Sequence, residues 1–183
     1  MNKKLISKNH FHFIGIGGIG MSAIAMALIK KGYSVSGSDL VQNKETKSLK
    51  RLGAIIFDSQ IKKNIDFVIS KFQDQTINFV ISSAIKDENE ELYFCKKNNL
   101  LIKHRSEILA MIMNSYTSLS IAGSHGKTST STFISTLLEL CTHDSSSITG
   151  GIIPIYDSNA HIENTKYLVT EIDESDGTIK NYN

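Results

Sequence analysis

Residues 10–30 read HFHFIGIGGIGMSAIAMALIK, and the way this stretch is divided decides the fold. Phe11–Ile16 is a short apolar run, Gly15–Gly20 holds four glycines in six positions, and Met21–Lys31 has the composition of a helix. Phe11–Ile29 carries no formally charged side chain and follows Lys3, Lys4 and Lys8, so a membrane span or signal peptide has to be considered. The glycine cluster and His12 argue against both, because an apolar spanning or leader helix is leucine-rich and continuous. Strand, glycine turn and helix is the better division, and it predicts a chain that does not enter the membrane.

Working outward, the same alternation continues. Tyr33–Gly37 and Ala54–Phe57 are strand candidates separated by a helical stretch, Lys44–Leu52. Two similar runs follow, Ile65–Ser70 (IDFVIS) and Ile77–Ser83 (INFVISS), which leaves the position of the fourth strand open between them. Asn89–Asn98 is helical, Leu100–Lys103 a short strand and Ser106–Asn114 a helix. Past a boundary near 114–117 the pattern restarts: Ser118–Ala122 as strand, Gly123–Lys127 as glycine turn, Thr128–Leu140 as helix, then strands at Ile148–Ile153 and Tyr167–Ile172. Alternating strands and helices predict an α/β fold with right-handed crossovers on parallel sheets.

The 183 residues suit one full domain and part of another. Hydrophobic residues at 40% and charged residues at 21% exclude a disordered chain. Twenty basic against eighteen acidic side chains leave +2, too even for a nucleic-acid groove or a polybasic membrane anchor. Cys95 and Cys141 match neither a disulfide framework nor a zinc spacing, which points to a reducing, cytoplasmic setting. His10 and His12 share one strand face, but no third ligand accompanies them.

The first turn, Gly15-Ile16-Gly17-Gly18-Ile19-Gly20, contains G-x-G-x-x-G between a strand and a helix. Glycine permits the tight turn and lets backbone amides approach a phosphate at the positive end of the helix. Asp39 lies nineteen residues beyond Gly20, at the end of the second strand, where a carboxylate can meet a ribose hydroxyl. These features indicate a nucleotide diphosphate and do not separate a nicotinamide dinucleotide from a sugar nucleotide. The second turn, Gly123-Ser124-His125-Gly126-Lys127-Thr128, is the phosphate-cradling end of a Walker motif, with Ile121 where the full pattern has its first glycine. There the backbone amides hold phosphates, Lys127 reaches the β/γ-phosphates and the Thr128 hydroxyl binds Mg²⁺. The strand 167–172 then runs into Glu171-Ile172-Asp173-Glu174-Ser175-Asp176, placing carboxylates where a Mg²⁺–ATP site needs them. A dehydrogenase has no use for this second turn.

Taken in order, HFIGIGGIGMSAIA, YSVSGSD, VISSAIK, IAGSHGKTSTS and YLVTEIDESDGT resemble the Mur ligases, and among them the branch that attaches L-alanine to UDP-N-acetylmuramate. The resemblance implies a Rossmann-like parallel-sheet domain over 1–114 that holds a UDP-sugar, followed over 115–183 by the first part of a P-loop ATPase-type α/β domain. It puts Gly17, Gly18, Ile19 and Gly20 around the diphosphate, Ser38 and Asp39 at the uridine end, and Ser82, Ser83 and Arg105 at the substrate. Gly123, Ser124, His125, Gly126, Lys127, Thr128 and Ser129 would form the ATP loop. Lys127 and Glu171 are the implied catalytic groups, and Thr128 and Glu171 the implied Mg²⁺ ligands. The expected cofactors are ATP and Mg²⁺, and the expected partners are UDP-N-acetylmuramate and L-alanine, with a homodimer if the chain self-associates. After Phe57, where the family shows Gly-His, this chain has Asp58-Ser59. The alternatives are a UDP-sugar-binding module without chemistry and, on the first turn and Asp39 alone, an NAD(P)-dependent oxidoreductase; full ligase activity from this chain alone is not expected.

Overall fold

The structure is a computed structural model that describes residues 8–141 and 144–172. The chain divides into two compact units, Met1–Arg105 and Ser106–Asn183.

The first unit is built on five parallel strands, β1 (Asn9–Ile14), β2 (Ser34–Ser38), β3 (Ile55–Phe57), β4 (Thr76–Ile81) and β5 (Ile102–His104), in the spatial order β3-β2-β1-β4-β5. Helices α1 (Ile19–Lys30), α2 (Lys44–Arg51), α3 (Lys62–Lys71) and α4 (Glu90–Lys97) make the crossovers, α1 packing beside α2 and α3 beside α4. β1 is central and covered on both faces, with Phe11, Phe13 and Ile14 buried together with His10 and His12. Chain order reverses between β1 and β4, so a crevice opens at the carboxyl ends of those two strands.

Local chemistry sets the helix boundaries. Asn43 and Thr46 form a reciprocal capping box at the start of α2, the Asn43 side chain accepting from Thr46 N at 2.9 Å and Asn43 N donating to Thr46 Oγ1 at 3.0 Å. Asn89 caps α4 by accepting from Leu92 N at 3.0 Å, with Glu90 and Glu91 in the first turn and Lys96 and Lys97 in the last.

The run Ile65–Ser70 is helix rather than strand, and β4 is the later of the two similar runs. On a strand, Ile65, Phe67 and Ile69 would share a face. Here Ile65 is 0% exposed while Phe67 and Ile69 are 45% and 36% exposed, and the buried partner of Ile65 is Val68, one turn on. A parallel β3-to-β4 connection also needs a crossover helix, which short-range hydrophobicity does not reveal. Ile65 and Val68 pack with Phe79 and Cys95 in a core joined by Phe57, Phe72, Ile77, Phe94, Leu100 and Ile102.

Helix α5 (Arg105–Met113) begins at the division between the units. Among the described residues the second unit has four strands, β6 (Thr117–Ile121), β7 (Ser145–Ile153), β8 (Ser158–His161) and β9 (Tyr167–Glu171), ordered β6-β9-β7-β8, with helix α6 (Lys127–Leu140) against them. β6, β9 and β7 are parallel, whereas β8 runs antiparallel to β7 after a turn at Pro154–Tyr156 and the left-handed Asp157 (φ 45°). The sequence reading has three strands here. β8, with the sequence SNAH, escapes it because its hydrogen bonds go to β7 while its side chains are mostly polar. α6 approaches the sheet closely because its buried positions are the small residues Ser131 and Ser135, and Ser147 Oγ donates to Ser135 Oγ at 2.8 Å.

Candidate functional site

Each unit carries one glycine turn between a parallel strand and a helix. In the first, Gly15 takes φ +81°, and its amide and that of Ile16 donate to Ser38 O at 2.8 and 3.0 Å. Gly17 N donates to Asp39 Oδ2 at 2.8 Å, and Gly17 O accepts from Asn43 Nδ2 at 2.8 Å. Asp39 Oδ1 accepts from Val41 N at 2.9 Å, so both carboxylate oxygens brace backbone around the turn. Ser38 is fully buried and donates through Oγ to Glu91 at 2.5 Å. The end of β2 thus holds the first half of the turn in place.

The second half faces the crevice. α1 starts after an extended Gly18, a residue with no side chain to cap the positive end of the helix. A Cβ on Gly20 would lie 3.2 Å from Arg105 Nη1, which sets the guanidinium beside that helix end. From the far side of the switch point, the loop after β4 brings Ile85 over Gly15, where an added Cβ would lie 2.9 Å from its Cδ1. In the same loop Ser83 Oγ is hydrogen-bonded to His104 Nε2 at 3.1 Å, and Ser82 O accepts from Ile85 N at 3.1 Å. Gly17 to Gly20, Ser82, Ser83 and Arg105 therefore share one edge of the sheet. A helix N-terminus with an arginine beside it suits a diphosphate.

In the second unit the turn follows β6. Gly123 has φ +148° and Gly126, at the start of α6, has φ +80°; both are left-handed conformations that glycine adopts without strain. No side chain caps α6, and Thr130 N makes its early bond to Gly126 O at 2.9 Å. Lys127 Nζ folds back to donate to Gly123 O at 2.8 Å, closing the loop upon itself. Ser124, His125 and Ser129 are exposed around it.

Glu171, ending β9, meets this helix. Its Oε2 accepts from Thr128 Oγ1 at 3.1 Å and its Oε1 from Ser131 Oγ at 2.6 Å. Two glycines of β7 make room: a Cβ on Gly150 would lie 2.9 Å from Glu171 Oε2, and one on Gly151 would lie 2.6 Å from Thr128 Cγ2. A hydroxyl and a carboxylate at this spacing are hard oxygen donors of the kind Mg²⁺ takes. Among the described residues no group of three His, Cys, Asp or Glu side chains could hold a metal, so an ion here would complete its shell with water and phosphate oxygens. Asp173, Glu174 and Asp176 lie outside the described residues.

Sequence reasoning missed Ser131, Gly150, Gly151, Asn43 and Glu91. Only the doubled glycine and the Asn-x-x-Thr spacing left any trace in the sequence. Cys95 is buried, and desolvation followed by the Glu91 carboxylate pushes its thiol up to about 12, which makes it inert. His10 and His12 are occupied by serines: His10 pairs with Ser34 and Ser36 at 2.9 and 2.7 Å, and His12 with Ser36 at 2.8 Å.

Residues 10–117 match the family model described as Mur ligase family, catalytic domain. The chain is 94% identical over all 183 residues to a UDP-N-acetylmuramate–L-alanine ligase of Prochlorococcus marinus subsp. pastoris, of which it covers 39%. It is 43% identical over 172 residues, 94% of its length, to the enzyme of that name from a Synechococcus strain, covering 35% of it. Among solved structures, the UDP-N-acetylmuramate-alanine ligase of Thermotoga maritima superposes with a TM-score of 0.80 at 26% identity, over 94% of this chain and 39% of that one. The Neisseria UDP-N-acetylmuramate:L-alanyl-γ-D-glutamyl-meso-diaminopimelate ligase gives 0.81 at 23% identity, over 91% and 53%, which shows the shared fold. The chain thus spans well under half the length of the ligases of Prochlorococcus and Synechococcus that it matches. On the family match and these identities, the chain belongs to the Mur ligase family.

Proposed function

We propose that this chain supplies the UDP-sugar site and the ATP loop of an ATP-dependent ligase that joins L-alanine to UDP-N-acetylmuramate in cytoplasmic peptidoglycan precursor synthesis. The observation that carries the reading is the convergence of Thr128, Ser131 and Glu171 at the glycine-led start of α6, a phosphate-and-metal arrangement that a dinucleotide dehydrogenase does not need. The 94% identity over the whole chain supports alanine as the amino acid, since the relative bears that name.

In the reaction, phosphoryl transfer from ATP to the muramate carboxylate gives an acyl phosphate, and the amine of L-alanine displaces phosphate to form the amide. The residues of this chain act by binding and charge neutralisation, because phosphoryl transfer asks little covalent chemistry of a protein. The Gly17–Gly20 turn and Arg105 hold the diphosphate, with Ser82 and Ser83 across the crevice and Ser38 and Asp39 fixing the uridine end. Amides of 123–129 would hold the ATP phosphates, and Lys127 would exchange Gly123 O for a phosphate oxygen. Thr128 and Glu171 would hold Mg²⁺, which neutralises phosphate charge when bound. No described helix is long and apolar enough to cross a membrane, in keeping with small-molecule substrates.

Calorimetric titration with UDP-N-acetylmuramate, with NADPH as control, tests the first site. A micromolar constant, about −8 kcal/mol, with no NADPH signal is expected; NADPH binding in its place overturns the reading.

A further inference from the structure

Glu91 is the second residue of α4, fully buried, and remote in sequence from either glycine turn. Its carboxylate is shared among three elements of the first unit. Oε1 accepts from Asn64 Nδ2 of α3 at 2.7 Å, Oε2 accepts from Ser38 Oγ of β2 at 2.5 Å, and His12 Nε2 of β1 stands 3.9 Å from Oε2. His12 Nε2 is buried and makes no hydrogen bond. Burying a carboxylate is costly, and a core that needed only volume at this position would be filled more cheaply by an apolar side chain. What the carboxylate accomplishes is visible one residue further on. The backbone of Ser38 accepts from Gly15 N and Ile16 N, and the neighbouring Asp39 accepts from Gly17 N. Three consecutive amides of the glycine turn therefore hang on a two-residue segment whose first side chain is tied to Glu91.

We propose that Glu91 is a positioning residue for the phosphate-binding turn: by clamping Ser38 it fixes the end of β2, which turns the amides of Gly15–Gly17 inward and so sets where the start of α1 meets the diphosphate. The proposal rests on the reading of this turn as the UDP-sugar site. It differs from a core-filling role in its reach, because a filler acts on the packing of α3 and α4, whereas a clamp acts on the amides of a turn with which Glu91 shares no hydrogen bond among the described residues.

The test reads two quantities on the 183-residue chain, amide hydrogen exchange at Gly15–Gly17 and the dissociation constant for UDP-N-acetylmuramate. Glu91→Leu keeps the volume and drops the clamp; Ser38→Ala drops it from the other end and leaves the Ser38 carbonyl in place. Each should speed exchange at the three amides about tenfold, as expected for one charge-assisted hydrogen bond, and weaken binding about as much. The double variant should be no worse than either single one, since both cut the same link. Glu91→Gln, which can still bond Ser38 and Asn64, should stay within about threefold of the parent. Wild-type exchange in a folded Glu91→Leu, or faster exchange spread evenly over β1 and β4, overturns the clamp. If Glu91→Leu fails to fold, Ser38→Ala decides alone, wild-type exchange again overturning it. Absence of UDP-N-acetylmuramate binding by the parent chain overturns the ligand reading, while exchange at Gly15–Gly17 still decides the clamp.

Discussion

Asp39 Oδ2 accepts the amide hydrogen of Gly17 at 2.8 Å, and a Cβ on Gly17 would lie only 2.8 Å from the same oxygen, inside van der Waals contact. The added carbon would also come within 3.1 Å of Thr46 Cγ2, so neither the carboxylate nor the α2 capping box leaves room for a side chain. Gly17→Ala must push Asp39 away and break the bond that orients the turn. We expect UDP-N-acetylmuramate binding to weaken at least about tenfold, the equivalent of about 1.4 kcal/mol. Asp39→Asn, which keeps an acceptor and loses the charge, should fall between that variant and the parent. Titration calorimetry on both variants checks the order, and equal affinity in Gly17→Ala and the parent would contradict it.

Glu171 makes a comparable argument in the second unit. With Thr128 on one oxygen and Ser131 on the other, its carboxylate is held in one orientation before any nucleotide arrives. Ser131→Ala removes the shorter bond, at 2.6 Å, and should cost about 1.5–3 kcal/mol of stability, the range for a hydrogen bond to a charged group. Glu171→Gln should abolish the Mg²⁺ dependence of ATP binding. Denaturant titration reads the first effect, and nucleotide titration with and without Mg²⁺ reads the second.

Lys127 bonds to the carbonyl of Gly123 at 2.8 Å, a contact it would trade for phosphate on the proposed reading. Lys127→Ala should therefore lower ATP affinity about tenfold or more through the lost charge, with little effect on folding, since the loop backbone keeps its glycine conformations. Unchanged ATP binding in that variant would count against the ATP role of the loop.

Both glycine turns were legible because their conformations demand glycine and because each sits between an apolar run and a helical one. The Asn43–Thr46 box, Glu91 and Ser131 were not, since each acquires its meaning from a partner that only the tertiary fold supplies. Ile65–Ser70 shows the limit most directly. It differs from residues 77–82, most of which lie in β4, only by Asp66 in place of Asn78, and the topological need for a crossover decided between helix and strand. The difference is measurable. Ile65→Ala, at a fully buried site, should cost about 2–5 kcal/mol. Ile69→Ala, at a position 36% exposed, should cost about 0.5 kcal/mol or less. A strand would make the two losses alike.

His10 gives the fold a pH dependence whose sign can be worked out. Its ring is fully buried, stacked on Phe72 at 3.6 Å, and desolvation followed by the nearby His12 lowers its pKa from 6.5 to about 3. The folded chain therefore keeps His10 neutral in a range where the unfolded chain protonates it. Between pH 6.5 and 3 the unfolded state binds more protons, so stability rises with pH and is lost as pH falls below 6.5, by up to about 1.4 kcal/mol per pH unit from this group. Neutral His10 can donate through only one ring nitrogen. Ser34 gives its hydroxyl hydrogen to Gln75 Oε1 at 2.9 Å, so Ser34 Oγ is left to accept from His10 Nδ1, and His10 Nε2 accepts from Ser36. Protonating the ring would set a donor against the Ser36 hydroxyl and strand a charge in the core, which is the origin of the cost. His10→Asn preserves a donor near Ser34 and removes the titration. Denaturant midpoints of the parent should fall between pH 7 and pH 5 more steeply than those of His10→Asn; parallel pH profiles would show that His10 does not set the acid limit of the fold.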